Sequence, residues 1–227
     1  MITEKRIKLN KADLFKSALE ITQAFSEMLK MWREEEPRKD RGEKLFYCHV
    51  CSYVSAKTYY HLKRYGKPKC PTCGVEMAEF DAQRWKELRQ RLADEALQAT
   101  PRAVEALLKA AEVHGFLDGA EAVVEYGHVL RIVPDHTPNE LRYDASTRRL
   151  EAFYYYYDLP QHVESLKALI KAAWQLGLGV LLRIYPNHKT MPLPYDNLPI
   201  GRDMYGHIEI KMTAEELRGF ARGYGGL

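Results

Sequence analysis

No apolar run in this chain approaches the roughly eighteen residues that a helix needs to cross a bilayer, so no helical membrane anchor is expected. Met1 to Asn10 is charged and lacks an apolar centre, unlike a secretory signal, which makes an intracellular protein the expectation. Asn and Gln together number only ten, while Tyr, Glu, Lys and Arg are plentiful, a bias that points to a thermophile. Signatures of catalysis are missing as well. There is no G-x-x-x-x-G-K-S/T, no G-x-G-x-x-G after a strand, no H-E-x-x-H and no G-x-S-x-G, so no catalytic residue is assigned. His207-x-Glu209 has the H-x-E of zinc deaminases, but the cysteines precede it, and it reads instead as one face of a strand. Asp135, His136, His188, Asp196 and Asp203 fall in expected loops, with no spacing rule to unite them into a metal site.

Cysteine is scarce too, and its few positions are the most specific feature of the chain. Cys48, Cys51, Cys70 and Cys73 are the only four, in the pattern C-x2-C-x18-C-x2-C. Two thiolates two residues apart grip one side of a tetrahedral ion, and a second such pair about twenty residues away completes the site. Four soft sulfur ligands leave no position open for water, so the expected ion is a single structural zinc, with iron as the alternative. Disulfides are the weaker reading, since such frameworks belong to small secreted domains.

Charge gathers around these cysteines. Residues 37–69 hold nine Lys or Arg against two acids, whereas residues 1–36 balance at seven against seven. Lys57, Lys63, Arg64, Lys67 and Lys69 can neutralise phosphates, and Tyr53, Tyr59, Tyr60 and Tyr65 offer faces on which bases stack. Ser55 is expected to cap a short helix ending at Gly66, with Lys57, Tyr60, His61 and Arg64 along one side, where it could enter a major groove. His49 and His61 are surplus to a site already filled by sulfur.

The stretch from Cys48 to Cys73 resembles the zinc-ribbon and treble-clef superfamily. Phe46-x-Cys48-x2-Cys51, followed by a helix-like stretch with Leu62, is also similar to the start of a C2H2 zinc finger, though Cys70 and Cys73 stand where that finger has histidines. Cys70-Pro71-Thr72-Cys73-Gly74 is shared with rubredoxin-like modules, which would hold iron and carry electrons. The resemblance covers residues 45–76 and none of the rest. Zinc ribbons bind DNA, RNA or protein, and the local charge favours nucleic acid. Lys57, Tyr60, His61, Lys63, Arg64, Lys67 and Lys69 are therefore the expected contacts of a non-enzymatic nucleic-acid-binding protein, of the regulatory kind found in viruses and mobile elements. The alternative is an adaptor that docks its ribbon on a protein such as a polymerase or ribosomal component.

Helical periodicity flanks this module. Leu14, Ala18, Ile21, Phe25, Met28 and Trp32 form one stripe, and Trp85, Leu88, Leu92 and Ala96 another after a cap at Asp81. Thr100-Pro101 is expected to end the second helix and begin a third, which Gly115 closes. From Ala120 the period changes to two, giving four strands, a helix from Pro160 to Gly177, strands at residues 180–185 and 207–212, and a last helix capped by Thr213 with Glu216. A loop is expected over Pro186–Gly206, and the Gly-rich tail from Arg218 is expected to fray. The fold class is α+β: an N-terminal helical hairpin carrying an inserted four-cysteine zinc ribbon, then a C-terminal domain with a mostly antiparallel sheet and two or three helices. The division is drawn at 1–118 and 119–227, with homo-oligomerisation or partner binding the expected role of the second part.

Overall fold

The computed structural model describes residues 4–135, 139–155, 160–185, 193–203 and 205–224. Strand β1 (Lys5–Lys8) leads through a 3-10 turn into α1 (Leu14–Glu34), whose first turn is capped by the Asp13 carboxylate accepting from the Lys16 amide. Next come β2 (Glu43–Tyr47), β3 (Val54–Thr58), the short α2 (Tyr59–Tyr65) and β4 (Ala78–Glu79). Asp81 caps the long α3 (Ala82–His114) by accepting from the Arg84 amide. The rest is β5 (Glu121–Glu125), β6 (Val129–Val133), β7 (Glu140–Asp144), β8 (Arg149–Tyr154), α4 (Pro160–Leu176), β9 (Gly179–Ile184), β10 (Ile200–Arg202), β11 (Ile208–Met212) and α5 (Ala214–Gly223).

The fold is α+β, as its periodicities predict. Eight strands form one sheet in the order β1-β5-β6-β7-β8-β9-β11-β10, antiparallel throughout except between β8 and β9. That parallel pair needs a long crossover, which α4 supplies. Leu130, Tyr143, Leu150, Val180 and Met212 are cross-strand neighbours on the face that packs against the helices. Alternate residues face the other way, where Arg131 pairs with Glu140 at 2.8 Å and with Glu125, and Arg142 pairs with Glu140 and with Glu151 at 3.7 Å. A sheet covered on one side needs this alternation.

Helices α1 and α3 pack side by side in opposite directions. Glu36, past the end of α1, meets Lys86 near the start of α3, and Lys11 meets Asp118 beyond the end of α3. The core does not stop at residue 118: Ile21, Leu107, Tyr143 and Leu217 belong to one buried cluster, and β1 pairs with β5.

Several local expectations need correction. No break occurs at Thr100-Pro101, because α3 runs straight through. Pro101 lacks the amide that would bond back along the helix, a defect of about 3 kcal/mol in an interior. Ala96, Thr100, Ala103, Val104 and Leu107 are buried on both sides of it, and the Thr100 hydroxyl donates to the Ala96 carbonyl at 2.7 Å. Packing on both sides holds the helix together. The charged N-terminus contains an edge strand that alternation could not reveal, since Ile7 is its one apolar residue, and edges tolerate charge. The Pro-rich segment contributes β10 at the opposite edge, and the tail expected to fray from Arg218 is helical in α5 as far as Gly223, where Ala221 is buried. Residues 186–192, with His188, lie outside the described residues, as do His136, Tyr156, Tyr157 and the final Gly225-Gly226-Leu227. Of the two described tyrosines of the run, Tyr154 is buried in the core, its hydroxyl 2.9 Å from that of Ser165, and Tyr155 stacks on Tyr185 at 4.2 Å. Glu209 pairs with Arg183 across two strands, and Asp203 and His207 bond to one another in a turn.

His114, in the last turn of α3, is buried among Phe116, Tyr154 and His162, with both ring nitrogens lacking a hydrogen-bond partner among the described residues. Burial, with a smaller contribution from His162, pushes its pKa down to about 3. An unfolded histidine takes its proton near pH 6.5. Between those values the unfolded chain binds more protons than the folded one, so stability falls as pH drops through that window, by up to about 1.4 kcal/mol per pH unit. Denaturant titrations from pH 7 to 4 should show this loss, and His114→Phe should flatten it; an equal acid slope in both proteins would place the sensitivity elsewhere.

Candidate metal centre and the groove beside it

The four cysteines lie at the tips of two hairpin-like turns between α1 and α3. Strands β2 and β3 flank Cys48 and Cys51, and a bridge between Lys69 and Glu76 flanks Cys70 and Cys73. The two turns repeat one another bond for bond. The Cys48 amide donates to the Tyr53 carbonyl at 2.8 Å and the Ser52 amide to the Cys48 carbonyl at 3.0 Å. In the second turn the Cys70 amide donates to Val75 and the Gly74 amide to Cys70, each at 2.8 Å. Ser52 and Gly74 occupy equivalent positions and both adopt positive φ, 60° and 77°. Gly74 does so freely, and Ser52 at some cost. The amides of Val50 and Cys73 point at the sulfurs of Cys48 and Cys70, each at 3.4 Å. Such donors stabilise thiolates.

The four sulfurs lie within 4.8 Å of one another, and Cys51 Sγ is 3.6 Å from Cys70 Sγ. Tetrahedral coordination with metal–sulfur bonds of about 2.3 Å requires ligand separations near 3.8 Å, so the donor set fits one ion. Hydrogen bonds from Cys51, then from Cys48 and Cys70, hold the Cys73 thiol down at about 6. Burial pushes Cys48 up to about 11, and Cys51 rises because it donates to Cys73 and because it is buried. A divalent cation favours the thiolate form of all four cysteines together. Among the described residues, only Phe46 and Met77 are fully buried apolar partners around the sulfurs, with Leu62 and Val75 partly so. That is a small core for a module of its own.

The positions of the expected phosphate and base contacts differ from a single helical face. Helix α2 begins after Thr58, whose hydroxyl accepts from the His61 amide at 3.3 Å, and Ser55 lies within β3 instead. Lys57 is therefore a strand residue paired with Lys44, and the major-groove helix expected from Ser55 does not form. Tyr60, Lys63 and Arg64 are exposed on α2. Lys57, His61, Lys67 and Lys69 instead line an open groove of about 460 Å³, together with Tyr53 and Tyr65. The His61 and Tyr65 rings lie 4.9 Å apart, and Lys67 approaches Glu76 at 3.6 Å.

A second cleft, of about 540 Å³, lies on the other side of Tyr53, between the first cysteine turn, the end of α1 and the turns of the large sheet. Trp32, Tyr126, His128 and Asp144 line it; spacing marked Trp32 as a core residue of α1 and marked none of the four as a site residue. The His128 ring lies 4.9 Å from Trp32 and its Nδ1 is 2.8 Å from the Tyr126 carbonyl, so Nδ1 carries the proton. Burial pushes this histidine's pKa down from its ordinary value. The signal that could have drawn attention is Tyr126-Gly127, a two-residue turn with φ of 51° and 72° at positions where Asn-Gly is usual.

Among the described residues no helix is long and apolar enough to cross a membrane. No protein-family model matches the chain, and no curated protein or solved structure matches it either. Function has to be read from the residues themselves.

Replacing Cys48 or Cys70 with Ser should weaken metal binding by at least about 100-fold, which competition against a chromophoric chelator would register. Retention of wild-type affinity by both variants would mean that the ion is held elsewhere.

Proposed function

We propose that the chain is a zinc-stabilised nucleic-acid-binding protein, in which residues 43–79 form a zinc ribbon inserted between α1 and α3 and the groove beside it tracks a phosphate backbone. The observation that carries this reading is the convergence of Lys57, Lys67 and Lys69 on one groove with the rings of Tyr53, His61 and Tyr65. Ammonium groups neutralise phosphates and release their counterions, and aromatic faces stack on bases without demanding a sequence. The groove is open, as a polymer that enters and leaves sideways requires. Lys63 and Arg64 on α2 extend the positive field beyond its rim.

Zinc is the proposed ion because four sulfurs, three of them on buried cysteines, satisfy its tetrahedral preference and leave no site for chemistry. When bound, it cross-links the two turns and supplies no reaction. The protein's own residues do the binding, since Lys69 adjoins Cys70 and Tyr53 follows Cys51 by two positions. An iron protein would be red and would absorb in the visible, so a colourless preparation with one zinc per chain is the expected result.

Affinity for oligonucleotides should fall steeply between about 50 and 200 mM salt, and replacing Lys57, Lys67 and Lys69 together with Ala should reduce the slope of log affinity against log salt by about two. Fluorescence anisotropy at several salt concentrations would measure both. An affinity indifferent to salt would favour a protein partner instead.

A further inference from the structure

The groove and the cleft meet at Tyr53, which lines both. We propose that the bound polymer is single-stranded and that one of its bases turns out of the groove, past Tyr53, into the cleft bounded by Tyr126, Trp32 and His128. This rests on the nucleic-acid reading above and assigns the cleft a ligand of its own, an unpaired nucleobase.

Charge is sorted between the two spaces in the way such a ligand requires. Lysines line the groove, where phosphates would lie, whereas the cleft is lined by Glu35, Glu36 and Asp144 together with Arg38 and Arg89. Its three carboxylates make it less favourable for phosphate than the groove, and carboxylates and an imidazole are suitable partners for the N–H edge of a base. Arg89 prevents the cleft from being strongly acidic: it pairs with Glu35 at 3.4 Å and its guanidinium lies over the rings of Trp32 and Trp85, at 4.5 and 4.8 Å. The volume falls within the range of roughly 300–1,000 Å³ usual for small-ligand sites.

Tyr126 gives the independent reason. It holds a left-handed backbone, φ 51°, that favours Gly, Asn or Asp, and yet its side chain is 70% exposed. Folding gains little from a tyrosine there. A ring held at the mouth of the cleft is ready to stack on a base, and stacking is what a single strand offers at least cost, because its bases need not be unpaired first.

The test uses the full chain and labelled single strands of DNA and of RNA, each in a normal form and in an abasic form with the same sugar–phosphate backbone. Tyr126→Ala should weaken binding of a normal strand by roughly five- to a hundredfold, the range of one lost base–aromatic stack, and leave binding of the abasic strand unchanged. Tyr126→Gly should lose affinity equally while its melting temperature stays level or rises, since glycine relieves the backbone, which separates a contact from a fold defect. Equal losses on normal and abasic strands, or no loss on either, would overturn the proposal while the lysine groove could still stand. Failure of every strand to bind the wild-type chain would overturn the nucleic-acid reading and this inference with it.

Discussion

Two turns with little of their own to bury meet at four cysteine sulfurs, and the walls of the basic groove are built from the residues next to those sulfurs. Tyr53 takes its place from the hydrogen bond that closes the first turn, and Lys69 from the bridge that opens the second. Lys57 follows along β3 from the same turn. If the sulfurs separate, the residues of the groove separate with them. A segment with two fully buried apolar side chains beside its cysteines gains little from burial, and an ion bound by the four sulfurs would add its binding free energy to the folding of the segment.

The segment is also fastened to the body of the protein, at a few defined points. The Trp85 indole donates to the Ser52 carbonyl at 2.9 Å, while Tyr47, Val54 and Phe80 pack into the large core. Lys211 of β11 reaches the Thr72 carbonyl at 3.4 Å. These contacts place the first turn against the end of α1 and the turns of the sheet, and the cleft is the space left between them. The large sheet's turn at residues 126–128 supplies one wall of that space, through Tyr126 and His128.

Periodicity revealed the elements whose packing is strongly one-sided: the stripes of α1 and α3, the alternating strands, and the capping box of Thr213 with Glu216. Spacing revealed the sulfur cluster, because the pattern of four ligands has few geometric solutions. Where local chemistry and tertiary packing disagree, the local signal misled. Pro101 looks like a helix boundary and is overruled by burial on both sides, and Ser55 looks like a cap but pairs in a strand, leaving Thr58 to cap α2. The cleft could not be read at all, since Trp32, Tyr126 and Asp144 are far apart in the chain and only the fold unites them. The groove was legible as composition and became specific through geometry, which selected Lys57, His61, Lys67 and Lys69 from a longer set of basic and aromatic residues.

The central claim is that the sulfur-bound ion shapes the surface that binds nucleic acid. The most direct measurement is the affinity of one single-stranded oligonucleotide for the protein as purified, after metal removal under reducing conditions, and after zinc is restored. Binding should disappear on removal and return with zinc, while the helical circular dichroism of the large core persists. Undiminished binding by the metal-free protein would contradict the account.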